Sequence, residues 1–119
     1  MTKNRFVMFL AVVAGVLVWA LPAAAHSNAT VVTVTAAKPS EFHFTLSKTS
    51  VPHGAVTFRI TNKGTVPHDF KIAGKKTPLI NPGQTKSLTV TFAKAGKFPY
   101  MCTVSGHAAA GMKGTLTVK

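Results

Sequence analysis

From residue 30 onward, apolar and polar positions alternate in run after run. Val32, Val34 and Ala36 alternate with Thr33 and Thr35, and Phe42, Phe44 and Leu46 with Glu41, His43 and Thr45. Val56, Phe58 and Ile60 alternate with Thr57, Arg59 and Thr61, and Leu88, Val90 and Phe92 with Ser87, Thr89 and Thr91. Leu116 and Val118 close the series beside Thr115 and Thr117. A period of two places one set of side chains in a core and the other in water, and threonine suits a pleated surface. Between the runs lie Pro52-His53-Gly54, Asn62-Lys63-Gly64, Asn81-Pro82-Gly83 and Ala95-Gly96, which carry turn chemistry. No helical period follows residue 26. Short strands at this spacing predict an all-β fold: one antiparallel two-sheet β-sandwich with Greek-key connections.

The start of the chain follows a different rule. Lys3 and Arg5 precede an almost wholly apolar run from Phe6 to Leu21, and Pro22 then leads into Ala23-Ala24-Ala25. This is the three-part pattern of a secretory signal peptide, with cleavage expected before His26. The apolar run is slightly short for a membrane-spanning helix, which needs about 17 to 25 residues. The expected organisation is a leader at 1–25 and one exported domain at 26–119, periplasmic or extracellular.

Charge narrows the partners. Without Lys3 and Arg5, twelve lysines and arginines face only Glu41 and Asp69, a net charge of +10. Such a field steers acidic proteins and anionic envelope surfaces toward the chain. Nucleic acid is not expected, because the lysines are scattered singly and not interleaved with aromatics. A single cysteine, Cys102, rules out an internal disulfide, and a lone exported thiol needs burial or ligation to escape oxidation.

Cys102 is followed at five-residue steps by His107 and Met112, a Cys-x4-His-x4-Met pattern in a loop between two alternating runs. Gly106 and Gly111, each one residue before a candidate ligand, allow tight turns. A thiolate, an imidazole and a thioether are soft to borderline donors. Two histidines and a cysteine with a weak axial methionine form the ligand field of blue-copper electron-transfer sites. The further imidazole is assigned to His68, which shares parity with Phe70 and Ile72. Phe98, Tyr100 and Cys102 share a face, as do Met112, Gly114, Leu116 and Val118, so core parity also aims His68, Cys102 and Met112 inward. Zinc fits this set less well because it favours tetrahedral cysteine, histidine and carboxylate sites without a thioether. A binuclear copper centre would need a second cysteine.

The segment from Phe98 to Gly114 resembles the C-terminal ligand loop of the cupredoxins, a family of small blue-copper proteins. Asn62-x-Gly64-x3-His68 and Glu41-Phe42-x-Phe44 also resemble bacterial members, so the likeness extends over the whole mature chain. It implies a Greek-key sandwich with one type 1 copper at one end. It also implies that His107 protrudes through an apolar patch where redox partners dock and electrons enter or leave. Asp69 stands where many members have asparagine. By resemblance it bridges to the backbone or hydroxyl of Thr103, and its charge beside the thiolate favours copper(II).

Three functions compete: a monomeric carrier of single electrons, a copper carrier or buffer that delivers metal to another exported protein, and an enzyme. The enzyme is disfavoured because no ligand position stays open and related catalysis uses several copper domains. Of the other histidines, His43 and His53 are expected to be solvated or structural, and Met101 to pack. A newly exposed N-terminal His26 offers a minor chelating alternative, with His43 or His53 as its partner.

Overall fold

The computed structural model describes residues 14–19 and 29–119. Most of the expected leader, including its cleavage site and His26, therefore lies outside the described residues. Residues 14–19 are exposed and carry no regular secondary structure. Among the described residues no helix is long and apolar enough to cross a membrane.

Among the described residues nine strands follow in order: β1 (Thr30–Ala36), β2 (Phe44–Leu46), β3 (Ser50–Val51), β4 (Gly54–Asn62), β5 (Lys71–Ile72), β6 (Lys75–Lys76), β7 (Thr85–Phe92), β8 (Gly96–Met101) and β9 (Lys113–Val118). They form two sheets, one ordered β2-β1-β4-β7 and the other β3-β9-β8-β5-β6. Alternation decides which face is buried. Val32, Val34 and Ala36 of β1 and Val56, Phe58 and Ile60 of β4 turn inward, opposite Ile72, Tyr100, Leu116 and Val118 of the second sheet.

Aromatic rings knit the layers together. Phe58 packs against Phe70 at 5.3 Å between ring centroids and against Phe92 at 6.5 Å. Phe70 in turn stacks on Tyr100 at 5.5 Å. Full burial of one such side chain contributes about 1.5–3 kcal/mol. The core therefore runs unbroken from the middle of the sandwich to the segment that carries His68 and Cys102.

Two expectations need correction. The sandwich is mixed and not wholly antiparallel, because β1 runs parallel to β4 and β3 parallel to β9. After β2 the chain crosses to the other sheet as β3 and returns on the far side of β1; such a crossover, unlike a hairpin, leaves neighbouring strands parallel. The alternating run from Glu41 to Leu46 also forms a strand only at Phe44–Leu46. Residues 37–43 fold back as a loop closed by the Ala37 N–H donating to the His43 carbonyl at 2.8 Å. Phe42 is consequently 36% exposed and does not enter the core.

Candidate metal centre

His68 is fixed by its backbone first. Its N–H donates to the Ile80 carbonyl at 3.1 Å and its carbonyl accepts from the Ile80 N–H at 2.7 Å, an isolated bridge that holds the segment in an extended conformation. The imidazole is fully buried. Upstream, the buried Asn62 amide donates to the carbonyls of Val66 and Ile80, both at 2.8 Å, and accepts from the Gly64 N–H. That one side chain shapes the turn leading into His68.

The second segment is the loop between β8 and β9. Its ends are tied by the Cys102 N–H donating to the Met112 carbonyl at 3.0 Å, and the Met112 N–H donates to the His107 carbonyl at 3.0 Å. Gly106 (φ 83°) and Gly111 (φ 115°) adopt conformations that side-chain-bearing residues rarely take, which lets a short loop fold back on itself. Cys102 and Met112 are fully buried, whereas His107 is half-buried.

These segments bring three donors together. Cys102 Sγ lies 3.5 Å from His107 Nδ1 and 4.0 Å from His68 Nδ1, and the two Nδ1 atoms are 3.1 Å apart. All three ligand atoms fall within 4.8 Å of one another. Met112 stands beside them in the chain through its two backbone bonds. A second connection joins the segments, since both the N–H and the hydroxyl of Thr103 donate to the Asp69 carboxylate, the former at 2.6 Å.

The electrostatics suit a ligand cluster. Burial pushes the Cys102 thiol above its ordinary range; backbone N–H groups at Asp69 and Val104 act against this, while the Asp69 charge repels the thiolate. A metal ion therefore has to displace the thiol proton. Burial, then the proximity of His68, holds His107 below the usual histidine range, which keeps its imidazole neutral and able to ligate at neutral pH. One buried thiol and two Nδ1 atoms form the soft, trigonal set that suits copper, and among the described residues no carboxylate completes a tetrahedral zinc set with all three.

Sequence reasoning missed the role of two neighbours, Glu41 and Phe42. The Glu41 carboxylate lies 2.8 Å from His68 Nε2, and the Phe42 ring lies 4.9 Å from the His107 ring. Consecutive residues of one loop thus touch the two histidines. The His68 contact, followed by backbone N–H groups at Thr65 and Val66, holds the Glu41 carboxyl below its usual range. The only available signal was the Glu41-Phe42-x-Phe44 motif, which carried no assignment of role. Met101, expected to pack, is instead 39% exposed on the outer face of the second sheet. His43 Nδ1 shares a hydrogen bond with Ser40 Oγ, and His53 Nδ1 donates to the Lys119 carbonyl, both at exposed positions away from the cluster.

A two-sheet sandwich with a histidine from its middle and a cysteine and histidine from its last loop defines a class. The chain matches the Cupredoxin-like domain family over residues 8–118 and belongs to that family. Family and donor set together make copper, one type 1 ion per chain, the cofactor of this site.

Among individual relatives, Auracyanin-B of Chloroflexus aurantiacus is 44% identical over 52 residues, covering 44% of this chain and 22% of that protein. Its solved structure superposes with a TM-score of 0.68 at 26% identity, covering 76% of this chain and 89% of the other. The copper-resistant cuproprotein CopI of Pseudomonas aeruginosa is 46% identical over 41 residues, 34% of this chain and 23% of that protein. Both sequence matches thus span less than a quarter of the curated relatives' length. Auracyanin A, described as a "blue" copper protein of C. aurantiacus, superposes with a TM-score of 0.66 at 25% identity, covering 76% and 98%.

Proposed function

We propose that this chain is an exported carrier of single electrons, with copper held by His68, Cys102 and His107 and by Met112 as the weak axial ligand. The observation that carries the reading is the convergence of one thiol and two Nδ1 atoms, with His68 and Cys102 fully buried and His107 half-buried. Bound copper supplies a one-electron Cu(II)/Cu(I) couple. The chain's contribution is to keep its ligands still. His68 is held by Ile80 and Glu41, Cys102 by Met112, and the two segments by Asp69 and Thr103. A cage fixed at each corner rearranges little when its charge changes, so transfer is fast, and four protein ligands leave no position for a substrate.

His107 is the proposed point of electron entry and exit. It lines an open hollow with the apolar Val66, Pro67, Leu79 and Val104 and with Asp69, Thr103 and Lys76. Lys76 also begins a row across the second sheet, where strand register aligns Lys76, Lys71, Met101 and Lys113, all exposed. A mainly apolar hollow with this lysine row beginning beside it supports an acidic redox protein as partner, and the net positive charge supports peripheral contact with anionic envelope surfaces. The leader pattern at residues 1–25 supports export, and we propose a monomer.

The test is the visible spectrum of the mature domain after addition of copper(II). An intense blue thiolate-to-copper band that bleaches reversibly with reductant is expected. Cys102→Ser should abolish it, while Met112→Gln should retain the colour and lower the potential. Persistence of the blue band in Cys102→Ser would overturn the site. The likeness to a copper-resistant cuproprotein favours a second reading, in which the chain carries or buffers copper. A pale complex that readily loses copper to a competing apo-protein would select that reading.

A further inference from the structure

We propose that Glu41 is a positioning residue of the metal centre, its carboxylate fixing the tautomer and orientation of His68 and biasing the site toward copper(II). The inference rests on the blue-copper reading above and adds to it a residue outside the ligand set.

His68 is fully buried and offers only two polar atoms. Nδ1 faces Cys102 and His107, and Nε2 faces Glu41 at 2.8 Å. An ionised carboxylate only accepts, so the imidazole proton belongs on Nε2 and the Nδ1 lone pair is turned toward the donors. Carboxylate–histidine–metal relays of this kind orient a ligand and raise its basicity.

The carboxylate is itself held in place. Glu41 Oε1 and Oε2 accept from the Thr65 N–H at 3.1 Å, Oε1 from the Val66 N–H at 3.2 Å, and Oε2 from the Thr65 hydroxyl at 3.3 Å. Space for it depends on residue 64 lacking a side chain. A Cβ at Gly64 would overlap the Glu41 carboxylate, with Cδ at 2.8 Å, and would crowd Ala37 Cβ at 2.6 Å. Asn62 sets the path of this turn by accepting from the Gly64 N–H. Loop, turn and ligand therefore form one connected unit.

Charge gives the second effect. Glu41 and Asp69 are the only acidic side chains in the sequence, and both contact the segments that bear the donors. With the Cys102 thiolate they contribute three negative charges, so the site is at −1 with copper(II) and at −2 after reduction. Loss of one full charge across an imidazole ring, partly screened by solvent, changes the oxidation-state preference about tenfold.

The experiment compares Glu41→Gln and Glu41→Ala with the parent, as the whole chain. Protein-film voltammetry is applied to the copper-loaded forms and imidazole nitrogen NMR to the metal-free and zinc-loaded forms. In Glu41→Gln an acceptor oxygen remains, so His68 should keep its Nε2–H tautomer while the copper(II) preference falls about tenfold, which is about 59 mV for one electron. In Glu41→Ala the potential should rise at least as far, and the Nε2 proton should lose its protection from exchange. A Glu41 that merely tied two loops together would lower thermal stability and leave both readouts unchanged, and that result would overturn the proposal. Absence of a blue band in the parent would instead defeat the electron-carrier reading, while the metal-free NMR comparison would still decide the tautomer.

Discussion

Replacing Gly114 with alanine puts a methyl group where a phenol ring already lies. Gly114 on β9 is the register partner of Tyr100 on β8, and a Cβ at residue 114 would stand 2.9 Å from Tyr100 Cε2 and closer still to Cζ and the hydroxyl. The ring has little room to retreat inward, since it stacks on Phe70 at 5.5 Å and meets the edge of Phe44 at 6.0 Å. Overpacking of this kind costs about 1–3 kcal/mol. Alanine in a strand interior returns about 0.5–1 kcal/mol relative to glycine. A net loss of about 1–2 kcal/mol lowers the Tm of a domain this size by roughly 5–15 °C. Calorimetry of the metal-free protein measures it.

A second readout ties the loss to its cause. Tyr100 is the only tyrosine, and burial pushes its phenol above the ordinary value. The folded state therefore favours the neutral phenol. Its contribution to stability is intact below the ordinary tyrosine pKa and is lost as pH rises through the raised one. If the new methyl turns the ring toward water, an ultraviolet titration of Gly114→Ala should show the phenol ionising at lower pH than in the parent. In a Tyr100→Ala background the same substitution should cost nothing. An unchanged Tm together with an unchanged titration would refute the steric argument.

The other predictions concern the residues that hold the site. Asp69→Asn should raise the reduction potential by about 59 mV, a tenfold change in preference, with the amide oxygen still accepting from Thr103; voltammetry showing no shift would remove the carboxylate's charge from the account. Asn62→Ala strips partners from Val66, Ile80 and Gly64 and should cost about 2–4 kcal/mol in urea unfolding. A loss well below 1 kcal/mol would mean that water satisfies those groups. Phe58→Ala, at a fully buried position between Phe70 and Phe92, should cost about 3–5 kcal/mol and leave the spectrum of the copper-loaded protein unaltered.

What could be read from residues alone follows a physical division. Period-two alternation reports which face of a strand is buried, and the inward set of Val32, Val34, Phe58, Ile60, Leu116 and Val118 was legible for that reason. The loop carrying Cys102 and His107 was legible because those donors lie within a few residues of one another. Alternation carries no information about the direction of a neighbour, so the parallel pairing of β1 with β4 was hidden. It also misassigned Phe42, because the pattern continues through a loop whose own hydrogen bonds turn it out of the sheet. Glu41 was beyond reach for a related reason. Its meaning depends on groups 24 to 27 residues away, whose approach depends on an asparagine in a turn.

The placement of both acidic side chains at the metal end has a consequence for behaviour in different surroundings. With Glu41 and Asp69 engaged at the metal end, no carboxylate side chain is left on the rest of the surface to be neutralised by acid. Protons taken up elsewhere on the surface can only add charge of the sign already present. The protein's long-range attraction therefore keeps its sign across mildly acidic to neutral conditions, and proton concentration is a poor control over whom it meets. Dissolved salt is the effective control, because the field fades over about 8 Å at 0.15 M ionic strength. Encounter rates should follow the salinity of the compartment far more closely than its acidity.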